Sequence, residues 1–183
     1  MIRRGFLTAL CAGVLLGATP AISADSPLDA KPSADATWIV LGVQPETTSL
    51  TILEPVIKKG WVTGFRTGFL ELGALKDSRP TDGYMALKLR PDTVYAIAYV
   101  GAMSPCAKVF TFQGGAGKVV YITTLNYSRA DSAEGVFVSN LAGMSFSQDL
   151  EGARSFLKTH YPGLSDNLEA GQYRMMPNWR SRC

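Results

Sequence analysis

Trp38-Ile39-Val40-Leu41-Gly42-Val43 is an unbroken apolar run. A strand with one face in water alternates apolar and polar side chains, so a run without alternation reads as a strand buried on both faces. Working outward, Gln44-Pro45-Glu46-Thr47 is a turn, and residues 50–56 form a β-rich run with no helical period. Gly60-Trp61-Val62-Thr63-Gly64-Phe65 reads as a strand with a bulge or close approach at Gly64. Residues 73–83 are turn-rich. Residues 84–89 alternate, and beyond the turn Arg90-Pro91-Asp92 residues 94–100 read as another strand. Val109-Phe110-Thr111-Phe112 and Lys118-Val119-Val120-Tyr121-Ile122-Thr123, joined by Gln113-Gly114-Gly115-Ala116-Gly117, read as a hairpin. Shorter strands are expected at residues 135–139, 143–146 and 172–176.

One segment reads as helix, near residues 148–160. Ser147 is the candidate N-cap, with Asp149 and Glu151 in the first turn. Leu150, Ala153, Phe156, Leu157 and His160 make one stripe, and Pro162-Gly163 ends it. About eight or nine short strands and one late helix predict a mainly β fold, an antiparallel β-sandwich or partly open barrel. A parallel α/β sheet would need helices alternating with the strands.

The chain has 183 residues, 46% hydrophobic and 18% charged, which places it among globular proteins. Arg3 and Arg4, the apolar residues 6–18 and the small residues Ala21-Ile22-Ser23-Ala24 predict a secretory signal peptide over residues 1–24. Leu10 precedes Cys11 where a lipobox requires a small residue, so lipidation is not expected. Residues 25–36 read as a flexible lead-in, and residues 37–183 as a single β-sandwich domain with a C-terminal tail. No stable membrane span is expected after removal of the signal. The rest of the chain holds 16 Lys and Arg against 15 Asp and Glu. That balance predicts an evenly mixed surface, with no nucleic-acid partner and no strong attraction to anionic membranes.

Cys106 and Cys183 remain after residue 24, and an even count in an exported protein predicts one disulfide. Its loop would contribute roughly 4 kcal/mol by chain entropy. Catalytic patterns are poor. Gly114-Gly115-Ala116-Gly117-Lys118 lacks the first glycine of a phosphate loop, having Phe112 there, and has Val119 where Ser or Thr is required. No Gly-x-Ser-x-Gly elbow occurs. His160 is the single histidine and sits where a helix C-terminus favours a cation. One His and two Cys are too few for a zinc or copper site, and Met175-Met176 reads as strand core or adaptable surface. Glu54, Glu71 and Asp82 are read as solvent-facing positions on or beside strands. Lys58-Lys59 reads as a solubilising or edge-protecting pair in a turn, and Asn126-Tyr127-Ser128 matches a glycosylation sequon by pattern alone. Trp38 reads as core, whereas Trp61 and Trp179 are candidates for a binding face.

The strand 38–43, Asp82-Gly83-Tyr84 leading to Leu89-Arg90-Pro91-Asp92-Thr93-Val94-Tyr95-Ala96-Ile97, then Gly117-Lys118-Val119-Val120-Tyr121-Ile122, and the helix closing on Tyr161-Pro162-Gly163-Leu164 resemble uncharacterised exported bacterial domains. Those domains have a PEGA-like or carboxypeptidase-regulatory-like β-sandwich, and the resemblance spans residues 37–165. It implies an envelope-associated accessory domain and brings no catalytic residues. The expectation is an exported, periplasmic or secreted, non-enzymatic binding or structural module without cofactor, metal or catalytic residue, its partner an envelope protein or polymer. Two alternatives stand beside it. One is a small-ligand carrier with a pocket lined by Phe65, Phe69, Tyr95, Tyr99, Phe110 and Phe112. The other is a thiol-dependent hydrolase using Cys106 with His160.

Overall fold

The computed structural model describes residues 27–66, 80–100, 108–127 and 144–179. Strand β1 (Thr37–Gln44) is buried from Thr37 through Val43, covered by the second sheet on one face and the helices on the other. In its sheet it lies between β5 (Tyr84–Leu89), antiparallel, and β8 (Val119–Tyr127), parallel. The outer edge of β8 is shared by β9 (Met144–Ser147), antiparallel, and β10 (Leu168–Ala170), parallel. The second sheet runs β11 (Tyr173–Pro177), β7 (Lys108–Phe112), β6 (Tyr95–Val100), β2 (Leu50–Leu53), antiparallel throughout.

One face of β1 sends Ile39, Leu41 and Val43 into the space between the sheets, against Ile52, Ile97, Phe110 and Phe112. The other sends Trp38 and Val40 toward α1 (Leu150–His160) and α2 (Pro162–Ser165), among Phe156, Leu157 and Leu164. A third, smaller cluster forms on the outer face of the second sheet. There the hairpin β3 (Pro55–Lys58) and β4 (Trp61–Phe65) buries Val62 against Ala96 and Val109. The layers are therefore helices, mixed sheet, antiparallel sheet and hairpin. The fold is mainly β with a late helix, and among the described residues the sheets do not close into a barrel.

Several local expectations change. The 109–123 segment is not a hairpin: β7 and β8 belong to different sheets, and Gln113 to Gly117 carries the chain across the sandwich. Close packing at that crossing explains Gly114, since a Cβ there would lie 3.0 Å from Ile39 Cδ1 and 3.1 Å from Thr37 Cβ. The first sheet is mixed rather than antiparallel, because β1, β8 and β10 are neighbours without being adjacent in sequence. The helix N-cap is Asp149, not Ser147: its carboxylate accepts from the Gly152 N–H at 2.9 Å, while Ser147 ends β9. A second short helix, α2, follows the break at Pro162. Within the lead-in, Ala30 is buried in the helix layer and the Lys31 carbonyl accepts the Trp38 indole N–H at 3.3 Å, so the fold begins before β1. The strand expected at 135–139 lies outside the described residues.

Candidate functional site

Strands β3 and β4 meet at Lys59-Gly60, both with positive φ (50° and 79°), as a two-residue hairpin turn requires. Gly60 adopts this conformation without strain, which is why the sequence turns here. The expected irregularity near Gly64 is a bulge at Thr63, whose hydroxyl donates to the Val56 carbonyl at 3.0 Å. Beyond β11 the chain joins this hairpin: Val62 and Asn178 form a parallel bridge, and the Trp179 N–H donates to the Val62 carbonyl at 3.0 Å. Val62 and Asn178 are buried. Trp61 and Trp179 each neighbour one member of this buried pair, so alternation turns both indoles outward. They are 47% and 56% exposed. Strand spacing of roughly 5 Å puts the two backbones side by side. The structure thus brings the two tryptophans singled out from sequence beside one bridged pair, with both indoles exposed. Trp38 is core, as its run predicts.

A second polar constellation lies under α1. Tyr84 donates its hydroxyl to the Asp149 carboxylate. The Asp149 N–H donates to the Tyr121 hydroxyl at 2.9 Å, which shares a 2.8 Å hydrogen bond with Thr124. The Tyr84 hydroxyl and the Gly152 N–H hold the Asp149 carboxyl below the usual carboxylate range. Burial, then the bond to Asp149, pushes the Tyr84 phenol above the ordinary tyrosine range. This network caps the helix and anchors it to β5 and β8. Sequence reading missed Tyr84 and Tyr121 because nothing local links them to residue 149; the Asp-x-x-Gly spacing at 149–152 was the available signal for the cap.

The linkage has two signs. Asp149, with its folded pKa lowered, stabilises the protein above the unfolded value near 3.9, and that contribution is lost as pH falls through the lowered value. Tyr84, with its folded pKa raised, stabilises below about 10, and that contribution is lost as pH rises through the raised value. Denaturant unfolding measured across pH should therefore show Asp149→Asn losing part of the acid limb and Tyr84→Phe part of the alkaline limb. Unchanged pH profiles would assign the network no role in stability.

Glu54 corrects the sequence reading outright. Between β2 and β3 it is buried, at 7% exposure, and paired with the guanidinium groups of Arg90 and Arg66, the latter at 3.6 Å. A buried carboxylate needs such partners. Asp82 does face solvent, and it holds the His160 Nε2 at 2.7 Å while the imidazole packs on Phe156. This pair joins the Asp82-Gly83 turn to the end of α1. Cys106, Cys183, Glu71 and Phe69 lie outside the described residues. Of the aromatics proposed to line a pocket, Tyr95, Phe110 and Phe112 are buried and stack on one another, with Phe110 4.6 Å from Tyr173 and 5.2 Å from Phe146. They fill the space between the sheets. Tyr99 is partly exposed. Among the described residues no three His, Cys, Asp or Glu groups come together as a metal-ligand set, and no helix is long and apolar enough to cross a membrane.

The chain matches no protein-family model, and no curated protein or solved structure is significantly similar to it.

Proposed function

We propose that this protein is an exported, non-enzymatic binding module of the bacterial cell envelope, periplasmic or secreted, that contacts an envelope protein or polymer through Trp61 and Trp179. The observation that carries this reading is the pairing itself. Two large apolar side chains, distant in sequence, sit exposed on either side of the Val62–Asn178 bridge, which supports reading them as one solvent-facing patch. Exposed aromatic pairs of this kind are more useful as contact surface than as fold stabilisers. The segment 1–24 and the Cys106–Cys183 disulfide belong to the same reading, because both are expected of an exported chain.

The test uses isolated envelope fractions, sacculi and total membranes, in a co-sedimentation assay. The Trp61→Ala/Trp179→Ala protein should lose binding by at least about tenfold, since truncating a buried aromatic anchor costs roughly 2 kcal/mol or more. Thermal unfolding should change little, both indoles being exposed. Intact mass before and after reduction reports whether residues 1–24 are removed and the two cysteines joined. Retention on both fractions unaffected by the double substitution would refute the contact face.

A further inference from the structure

Carboxylates are unevenly distributed over the described strands. None of the six strands in the second sheet and the hairpin contains Asp or Glu, while they carry Lys58, Lys108 and Arg174, and Lys59 sits in the hairpin turn. The one acid in between, Glu54, is buried and engaged by two arginines. Around the helix layer, by contrast, acids and cations are mixed: Glu169 pairs with Lys118 at 3.1 Å and Glu151 lies 3.9 Å from Arg154. Lys58 is directly opposite Trp61 in the hairpin, and Lys108 is directly opposite Pro177, two residues before Trp179. All four cations are exposed. The near-neutral total therefore conceals a basic face that coincides with the two exposed indoles.

We infer that this face docks on an anionic phospholipid bilayer, with Trp61 and Trp179 seated at the headgroup level and Lys58 and Lys59 on lipid phosphates. The inference rests on the reading of Trp61 and Trp179 as the contact face and puts a lipid surface in place of the protein or polymer partner. Indoles prefer the membrane–water interface, where the ring is apolar and the N–H stays hydrated. Flanking lysines are drawn to anionic headgroups. A neutral glycan would use the stacking surface and leave the lysines without a role. The hairpin is also the outermost layer, on the far side of the second sheet from the helices, and its strands carry no carboxylate that would repel an anionic surface. Two interfacial side chains and a few lysines give reversible attachment rather than insertion.

The chain has three tryptophans, none within residues 1–24, and Trp38 is buried. Indole fluorescence of the full chain therefore reports this face and is blind to any lipid contact of the N-terminal segment. Vesicles of phosphatidylethanolamine and phosphatidylglycerol should blue-shift the emission, and brominated phospholipid should quench it. Neutral phosphatidylcholine vesicles should do neither. Lys58→Gln with Lys59→Asn should weaken the anionic-vesicle response about 25-fold, roughly fivefold per lysine. Asn keeps the turn because it tolerates positive φ, and far-UV circular dichroism checks the fold. Absence of quenching, an equal response to neutral vesicles, or indifference to the lysine substitutions would each overturn the lipid assignment. If sacculi or a membrane protein protect the indoles while pure lipid does not, the lipid partner falls and the Trp61–Trp179 contact face stands. If nothing protects them, both fall.

Discussion

Gly42→Ala should destabilise the protein by about 3 kcal/mol, lowering the thermal midpoint by roughly 6–12 °C. Gly42 lies in the middle of β1, directly beside Thr124 of β8 in the parallel pair. A Cβ there would lie 2.8 Å from Thr124 Cβ and 3.0 Å from its methyl, inside van der Waals distance of a buried side chain. Thr124 cannot step aside freely, because its hydroxyl is bonded to Tyr121, whose own hydroxyl accepts the Asp149 N–H. The added methyl thus strains the sheet and breaks a buried hydrogen bond at once. A double-mutant cycle with Thr124→Gly isolates this contact: the pair should be less destabilised than the sum of the single changes by at least about 1 kcal/mol. Simple additivity would show that the sheet absorbs the methyl elsewhere.

Leu157→Ala should cost about 3–4 kcal/mol, the range for truncating a fully buried leucine that leaves a cavity. Leu157 is the innermost residue of the α1 stripe, packed in the layer that holds Trp38, Val40, Tyr121 and Leu164. This layer covers one face of β1, so its loosening should be felt by Trp38, whose ring lies 5.8 Å from Tyr161. The expected signature is a red shift of Trp38 emission together with faster hydrogen exchange in α1. Leu157→Met, which conserves volume, should cost less than about 1.5 kcal/mol. Equal losses for Ala and Met would mean that packing volume is not what holds the helix down.

Much of the fold was legible because burial writes itself locally. The run 38–43 announced a strand covered on both sides, and β1 is covered by the sandwich core on one and the helix layer on the other. The stripe from Leu150 to Leu157 marked the helix. The cap was misplaced by two residues because Ser147 and Asp149 are both good caps, and β9 claims the serine. The turn at 113–117 was read as a hairpin because a glycine-rich turn between two strands looks alike whether the strands pair or cross between sheets. Glu54 looked like a surface acid because Arg90 is 36 residues away along the chain and nothing near Glu54 predicts their meeting.

The sequence by itself determined most of the described strands, though neither β10 nor the break at Glu54 that divides β2 from β3, as well as where α1 lies, which face of it is apolar, and that Trp38 differs from Trp61 and Trp179. These are short-range matters, set by periodicity and by which side chains leave water. Only the tertiary structure decided which strands are neighbours, that β1, β8 and β10 run parallel, that Val62 meets Asn178 with Trp61 and Trp179 beside them, and that Glu54 is buried between two arginines. Those outcomes depend on closing long loops around a common core. The pairing of residue 62 with residue 178 stabilises nothing until the sheets between them have packed.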